Sequence, residues 1–283
     1  RQKVGLDLPI SRPQTPRLPK LIVGARLVLR DCPVDWVALP MDRAAYQRLS
    51  RLLTLGKRRA PKGQCHLDLA DVIKGCAGMI LIALPQGSLT QARAPIQDIQ
   101  RRYPGNVFLG AAPRYDGTDQ AYFSAVADLA LRVAAPMVAV GDVLLHRGAR
   151  RQLADVLTCL REGCTIDTIV TRALPNSERR LKGAAEMARL YRAHPAALRR
   201  TEEIAARCSF DLSELSYEYP DEISVSEPPQ ARLIRLTREG LERRCPQGIP
   251  DRYEALAAKE LNMVDELGFA AYFLTVHDII SYA

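Results

Sequence analysis

The stretch Val138–His146 (VAVGDVLLH) brings Asp142 out of an apolar run, with His146 four positions on. A carboxylate and an imidazole at the mouth of a buried strand are two of the donors that a divalent metal ion needs. Read structurally, the same residues are a strand-end aspartate capping the next turn and a surface histidine. A second carboxylate–histidine cluster is not visible. His66, His194 and His277 stand isolated, as packing or surface histidines do. Of seven cysteines only Cys159 and Cys164 lie close together, and no second pair accompanies them at zinc-finger spacing, so packing is the better account of both. Lys57, Arg58, Arg59 and Lys62 form a basic cluster able to track a phosphate backbone. Its plain alternative is a solvated face, since 33 of the 40 basic residues are arginine, a bias that runs through the whole chain. Few aromatics interleave with the cluster, which argues against a platform for stacking single-stranded bases. A Walker-type phosphate loop, a GxGxxG after a strand, a nucleophile elbow and an HExxH are all missing. Residue types and spacing alone therefore name no reaction.

The elements that must position these groups alternate. Lys20–Leu29 and Trp36–Met41 read as strands. Asp42 then caps a helix whose Tyr46, Leu49, Leu52 and Leu53 share a face, ending near Gly56. Leu67–Lys74 is a short helix, and Met79–Leu84 (MILIAL) is an apolar run of strand length closed by Pro85. Helix Gln91–Arg102, strand Asn106–Ala112, helix Gln120–Ala134 and strand Met137–Val140 follow. Leu153, Val156, Leu157 and Leu160 mark a helix that Gly163 ends. Strands alternating with helices imply an α/β class, with a parallel sheet or barrel. Beyond Thr165 the strands fade. Ala185–Tyr191 and Pro195–Cys208 read as helices, and Pro220, Pro228 and Pro229 mark an acidic connection between domains. Tyr253–Leu267 is an amphipathic helix capped by Gly268, and Tyr272–Tyr282 is an apolar run.

At 283 residues, with 47% hydrophobic and 25% charged residues, the chain can bury a sizeable core in one large domain or two ordinary ones. No apolar run approaches the roughly 20 residues of a membrane helix, and no n-region and apolar h-region open the chain. The scattered, odd cysteine count favours a reducing cytoplasm and mostly buried thiols. The net charge of +8 is unevenly spread: residues 1–62 carry +10, residues 63–212 carry +4 and residues 213–283 carry −6. The chain opens on Arg1 and closes inside an apolar periodic segment, so a fragment or a processed product is expected.

Seven strings occur in a specific order: KLIVGARLVL (20–29), DRAAYQRLSRLLTLGKRRAPK (42–62), DVLTCLREGCTID (155–167), LKGAAEMARL (181–190), TEEIAARC (201–208), YEYPDEI (217–223) and FAAYFLTVHDII (269–280). Together they resemble the error-prone, DNA-damage-associated branch of the bacterial C-family DNA polymerases, relatives of the polymerase III alpha subunit, from about Lys20 onward. The resemblance implies an α/β fold: a distorted (β/α) barrel of the polymerase-and-histidinol-phosphatase (PHP) type, incomplete at its N-terminus, followed by the mostly helical start of a palm domain. The implied organisation is an irregular lead-in over 1–19, a partial barrel over 20–211 and the truncated palm over 212–283. The family's opening metal motifs, of HxHSxxS and TDH type, are expected before Lys20 and are absent. Its last barrel motif resembles NDVHY. Here Gly141–Leu145 stand in that place, so that Asp142 matches a metal ligand while Leu144 replaces a ligating histidine.

The implied parent is a DNA-directed DNA polymerase acting in translesion synthesis. It uses Mg2+ held by carboxylates beyond Ala283, DNA and deoxynucleoside triphosphates as partners, and further replication or translesion proteins. It is cytoplasmic, with no membrane contact. Lys57, Arg58, Arg59 and Lys62 would then contact DNA, and this piece alone would be inactive. The alternatives are a metal-dependent phosphoesterase or 3′–5′ exonuclease barrel, and a non-catalytic scaffold module.

Overall fold

The computed structural model describes residues 19–215 and 227–282. The lead-in prolines Pro9, Pro13 and Pro16 and the string 217–223 with Pro220 lie outside them. The chain divides into two compact units, Arg1–Glu214 and Leu215–Ala283.

The first unit is built on a five-stranded sheet in the order β1 (Ala25–Leu27), β2 (Val34–Pro40), β3 (Met79–Pro85), β4 (Val107–Ala111) and β5 (Met137–Ala139). Only β3, β4 and β5 run parallel. β1 and β2 are antiparallel, as are β2 and β3, which corrects the expectation of a parallel arrangement throughout. The connections explain it. A short turn joins β1 to β2, which forces a hairpin. From β2 the chain leaves at Pro40 and re-enters directly opposite at Met79, because two helices, α1 (Arg43–Arg58) and α2 (Leu69–Gly75), carry it out and back to the same end. Single helices, α3 (Leu89–Arg102) and α4 (Asp119–Val133), make the parallel crossovers.

The side-chain alternation of β3 splits the core in two. Met79, Leu81 and Ala83 face α1 to α4, together with Trp36, Leu109 and Ala139. Ile80, Ile82 and Leu84 face the other way, with Phe108 and Val138, and are covered by Ile204 and Cys208. Those two belong to, or immediately follow, α7 (Pro195–Arg207), which α5 (Arg151–Glu162) and α6 (Ala184–Leu190) precede. All seven β3 residues are buried, as the unbroken apolar run requires.

Local signals set the boundaries. The Asp42 carboxylate accepts from the Ala45 N–H at 2.7 Å and starts α1, which buries Ala45, Leu49, Leu52 and Gly56. Tyr46, expected on that face, stacks on Phe210 at 4.6 Å. The first expected strand shrinks to three residues because Ile22, upstream of it, packs against the second face of the sheet and takes no place in the edge ladder. α5 ends at Gly163 in the left-handed conformation (φ 64°). Its Leu153, Val156, Leu157 and Leu160 are exposed, so the periodicity marks the helix but not a buried face. Of the seven thiols, all free, Cys76, Cys159 and Cys208 are buried, Cys65 is exposed and the other three are half-buried, fewer buried than expected.

In the second unit, Pro229 opens α8 (Pro229–Arg244), a helix the prolines concealed. A proline at the first helical position forgoes only an N–H that has no partner there. α9 (Asp251–Glu266) and α10 (Ala270–Tyr282) pack against it. The Gln230 amide donates to the Leu261 carbonyl at 2.9 Å, and Ala270 and Leu274 are buried. Among the described residues, no helix is long and apolar enough to cross a membrane.

Candidate functional site

A cleft of ≈ 720 Å³ opens just past the carboxyl ends of β3, β4 and β5, the place where parallel sheets gather ligands. Arg114, Tyr115, Tyr122, Asn176, Arg179 and Asp142 contribute its polar lining. Asp142 thus lies where the sequence put it, with a left-handed backbone (φ 41°). Both carboxylate oxygens are engaged by cations. Arg26 Nη1 donates to Oδ1 at 2.9 Å and Arg179 Nη2 to Oδ2 at 2.6 Å, while Arg179 Nε donates to the Asp142 carbonyl at 2.9 Å. Arg26 also grips Asp35 at 2.7 Å. The result is an alternating chain, Asp35–Arg26–Asp142–Arg179, that balances its own charge.

That geometry decides the fit of a metal ion. Each carboxylate oxygen already accepts from a guanidinium group, whose positive charge would repel an incoming dication. His146 is exposed and makes no hydrogen bond to Asp142, and Leu144 points to solvent, 57% exposed. Among the described residues no group of three or more His, Cys, Asp or Glu could hold a metal ion. The described residues therefore do not fit a metal, either in this cleft or for the magnesium of nucleotidyl transfer.

The walls of the cleft are tied down in detail. Tyr191 donates its hydroxyl to the Ala111 carbonyl and lies 3.1 Å from the Val140 carbonyl, so it clamps the ends of β4 and β5. Its ring stacks on Phe123 at 4.9 Å, and burial raises its pKa far above the ordinary tyrosine value. Asp119, at the start of α4, accepts the N–H groups of Arg114 and Tyr115 at 2.7 and 3.0 Å. Arg114 lies over the Tyr122 ring at 4.0 Å. Beneath Tyr115 sits the amine of Lys182, 5.1 Å from the ring centre, on a side chain only 1% exposed; burial, with Arg180 nearby, lowers its pKa. Arg114, Tyr115, Arg179 and Lys182 were not singled out from the sequence. Only the position of the loop after β4, at a strand's carboxyl end, could have drawn attention to the first two.

The basic cluster lies apart from this cleft, at the end of α1. Lys57, Arg58, Arg59 and Lys62 are all exposed. They are not equivalent, because Arg59 Nη1 is bridged to Asp71 Oδ2 at 2.6 Å. The same Asp71 oxygen accepts the Asp68 N–H at 3.0 Å and so helps to start α2. Cys164 donates its N–H to the Cys159 carbonyl at 3.0 Å across the end of α5. Burial, followed by a hydrogen bond with Cys164, raises the Cys159 pKa.

Comparison with known proteins fits this architecture into a class. Residues 231–283 match the family described as bacterial DNA polymerase III alpha NTPase domain. The whole chain is 71% identical over 283 residues to the error-prone DNA polymerase of Ruegeria pomeroyi, of which it spans 26%. It is 45% identical over 268 residues to the error-prone DNA polymerase of Rhodopseudomonas palustris strain BisB5, covering 94% of this chain and 24% of that protein. Against error-prone DNA polymerase 2 of Rhizobium meliloti the identity is 38% over 265 residues, 93% of this chain and 24% of that protein. Over nearly its whole length the chain is similar to error-prone DNA polymerases, and its residues 231–283 match the polymerase III alpha family. It spans about a quarter of the length of these relatives.

Proposed function

We propose that this chain works as part of an error-prone DNA polymerase that copies damaged DNA by template-directed nucleotidyl transfer, with DNA and deoxynucleoside triphosphates as partners. The observation that carries this reading is the 71% identity over 283 residues to a protein named error-prone DNA polymerase. On this reading residues 20–211 form a partial barrel of the PHP type and residues 212–283 begin the palm. The α/β sheet with its parallel β3–β4–β5 segment supports the first assignment, and the helical second unit supports the second. Mg2+ then enters through carboxylates outside this chain. The fragment is inactive alone, and the parent works in the cytoplasm beside other replication or translesion proteins.

Within the parent, the first unit acts as a scaffold and not as a phosphoesterase or exonuclease. The observation favouring this is the double ion pair of Asp142 with Arg26 and Arg179. Of the basic cluster expected to touch DNA, we assign that contact to Lys57, Arg58 and Lys62, because Asp71 already pairs with Arg59.

A chimera tests the polymerase reading. This chain replaces the matching residues of the Ruegeria pomeroyi enzyme, and primer extension is measured with Mg2+ on intact and abasic templates. Extension on both is expected. A soluble, folded chimera that incorporates no nucleotide overturns it.

A further inference from the structure

Helix α1 carries five basic residues, Arg43, Arg48, Arg51, Lys57 and Arg58, and no acidic one in sixteen. The fold itself accounts for part of this. Arg48 Nε donates to the Ala77 carbonyl at 2.6 Å, and Lys57 and Arg58 occupy the last turn, where the helix dipole favours cations. Arg51 has neither explanation. It is mid-helix and exposed, with no ion pair among the described residues. Gln47, Arg51, Thr54 and Arg58 recur at three- and four-residue spacing, hence on one face. With Ser50 they line a shallow groove of ≈ 590 Å³.

The neighbouring cations are neutralised. Arg59, at the groove's end, is bridged to Asp71, and Arg30 pairs with Asp68 through two hydrogen bonds at 2.9 and 2.6 Å. Among the described residues Arg51, Lys57, Arg58 and Lys62 are left without a carboxylate, beside the Gln47 amide, the Ser50 hydroxyl and Leu55, while the Thr54 hydroxyl already donates to the Ser50 carbonyl at 2.8 Å. Arginine, lysine, serine and glutamine are among the side chains that contact phosphate oxygens. No aromatic among the described residues lines the groove, which argues against base stacking as its mode. Seven residues of helix separate Arg51 from Arg58, about 10 Å at 1.5 Å per residue, or about three nucleotide steps along one strand.

We propose that the outer face of α1, led by Arg51 and Arg58 with Gln47 and Ser50 beside them, docks the phosphate backbone of duplex DNA, and that Arg59, held by Asp71, adds no phosphate contact. The proposal deepens the polymerase reading, on which it rests, by naming the DNA-contacting face.

Anisotropy of a fluorescent primed duplex, titrated with the full 283-residue chain from about 50 to 200 mM salt, tests it. Every phosphate that a variant no longer neutralises should flatten the log–log salt slope by about 0.9. The Arg51→Ala/Arg58→Ala double variant should therefore bind more weakly, with a slope about 1.8 shallower. Arg51→Gln/Arg58→Gln should behave alike, and thermal melts should match the parent, since both side chains are exposed. Arg59→Ala should keep the parental slope. Three results overturn the proposal: no salt-dependent binding by the parent chain, an unchanged slope in the double variants, or an Arg59→Ala slope as flat as theirs. The chimera separates the two readings. Extension by the chimera with unchanged slopes defeats the surface alone, and no extension with the expected slopes defeats the polymerase reading alone.

Discussion

Arg26 and Asp142, 116 residues apart in sequence, meet at 2.9 Å and join the first hairpin to the segment leaving β5. Their side chains are 34% and 28% exposed, so water screens the pair. Asp142→Asn removes the charge but tolerates the positive φ, and should cost about 1–2 kcal/mol in denaturant unfolding. Asp142→Leu should cost more, because it also forces a bulky side chain into the left-handed region. Equal stabilities for the two variants would remove the backbone part of this account.

Tyr191→Phe deletes the hydroxyl that clamps β4 and β5 while keeping the stack on Phe123. Val140 N–H still reaches the Ala111 carbonyl at 3.0 Å, so neither group is orphaned. A loss of about 1–2 kcal/mol is expected, read as a lowered melting temperature with unchanged far-ultraviolet dichroism.

Gly56 lies where α1 runs against the loop behind it. A Cβ there would sit 2.6 Å from Cys65 Sγ and 2.9 Å from Leu67. Gly56→Ala should destabilise by about 1–3 kcal/mol despite alanine's better helix propensity. Chemical unfolding of Gly56→Ala, alone and with Cys65→Ala, measures it, and the second change should recover part of the loss.

Arg30 holds the Asp68 carboxyl below its usual 3.8, chiefly through its hydrogen bonds. Arg180 likewise holds Glu186 below 4.5. A depressed carboxylate stabilises the fold at pH values above its unfolded pKa, and that contribution disappears as pH falls through the folded value. Arg30→Ala and Arg180→Ala should therefore weaken the protein at neutral pH and flatten its loss of stability below about pH 4.5. Parallel stability–pH curves for variant and parent would refute the assignment.

Thiol titration should resolve the cysteines by burial. Cys65 is exposed, while burial pushes the Cys76 pKa up to about 12. The folded chain should show a fast-reacting thiol that Cys65→Ser abolishes, and Cys76 should react only on unfolding.

Much of the first unit was legible because its signals are local. The MILIAL run, the Asp42 cap and the stop at Gly163 each act within a few residues, and β3, α1 and α5 stand close to where those signals put them. Strand direction was not legible, since it depends on α1 and α2 together returning the chain to Met79. α8 was missed because Pro228 and Pro229 read as a linker, when the second of them opens a helix. The site shows the same division. Asp142 was placed at its strand end from the apolar run before it, but its arginine partners come from positions 26 and 179, and no pattern within one segment announces such a meeting. The basic cluster was visible as a composition, whereas the pairing of Arg59 with Asp71 depends on how α1 and α2 lie.

The Asp35–Arg26–Asp142–Arg179 chain also sets an order of events during synthesis. The opening hairpin emerges from the ribosome early and Arg26 finds Asp35 within it, yet its second carboxylate comes 116 residues later, and that carboxylate waits 37 more for its second guanidinium. At bacterial translation speeds of roughly 5–20 residues per second, the first wait alone lasts about 6 to 23 s. Until then Asp35 alone holds Arg26, so the tie between the hairpin and the segment leaving β5 is made by residues synthesised after the central strands.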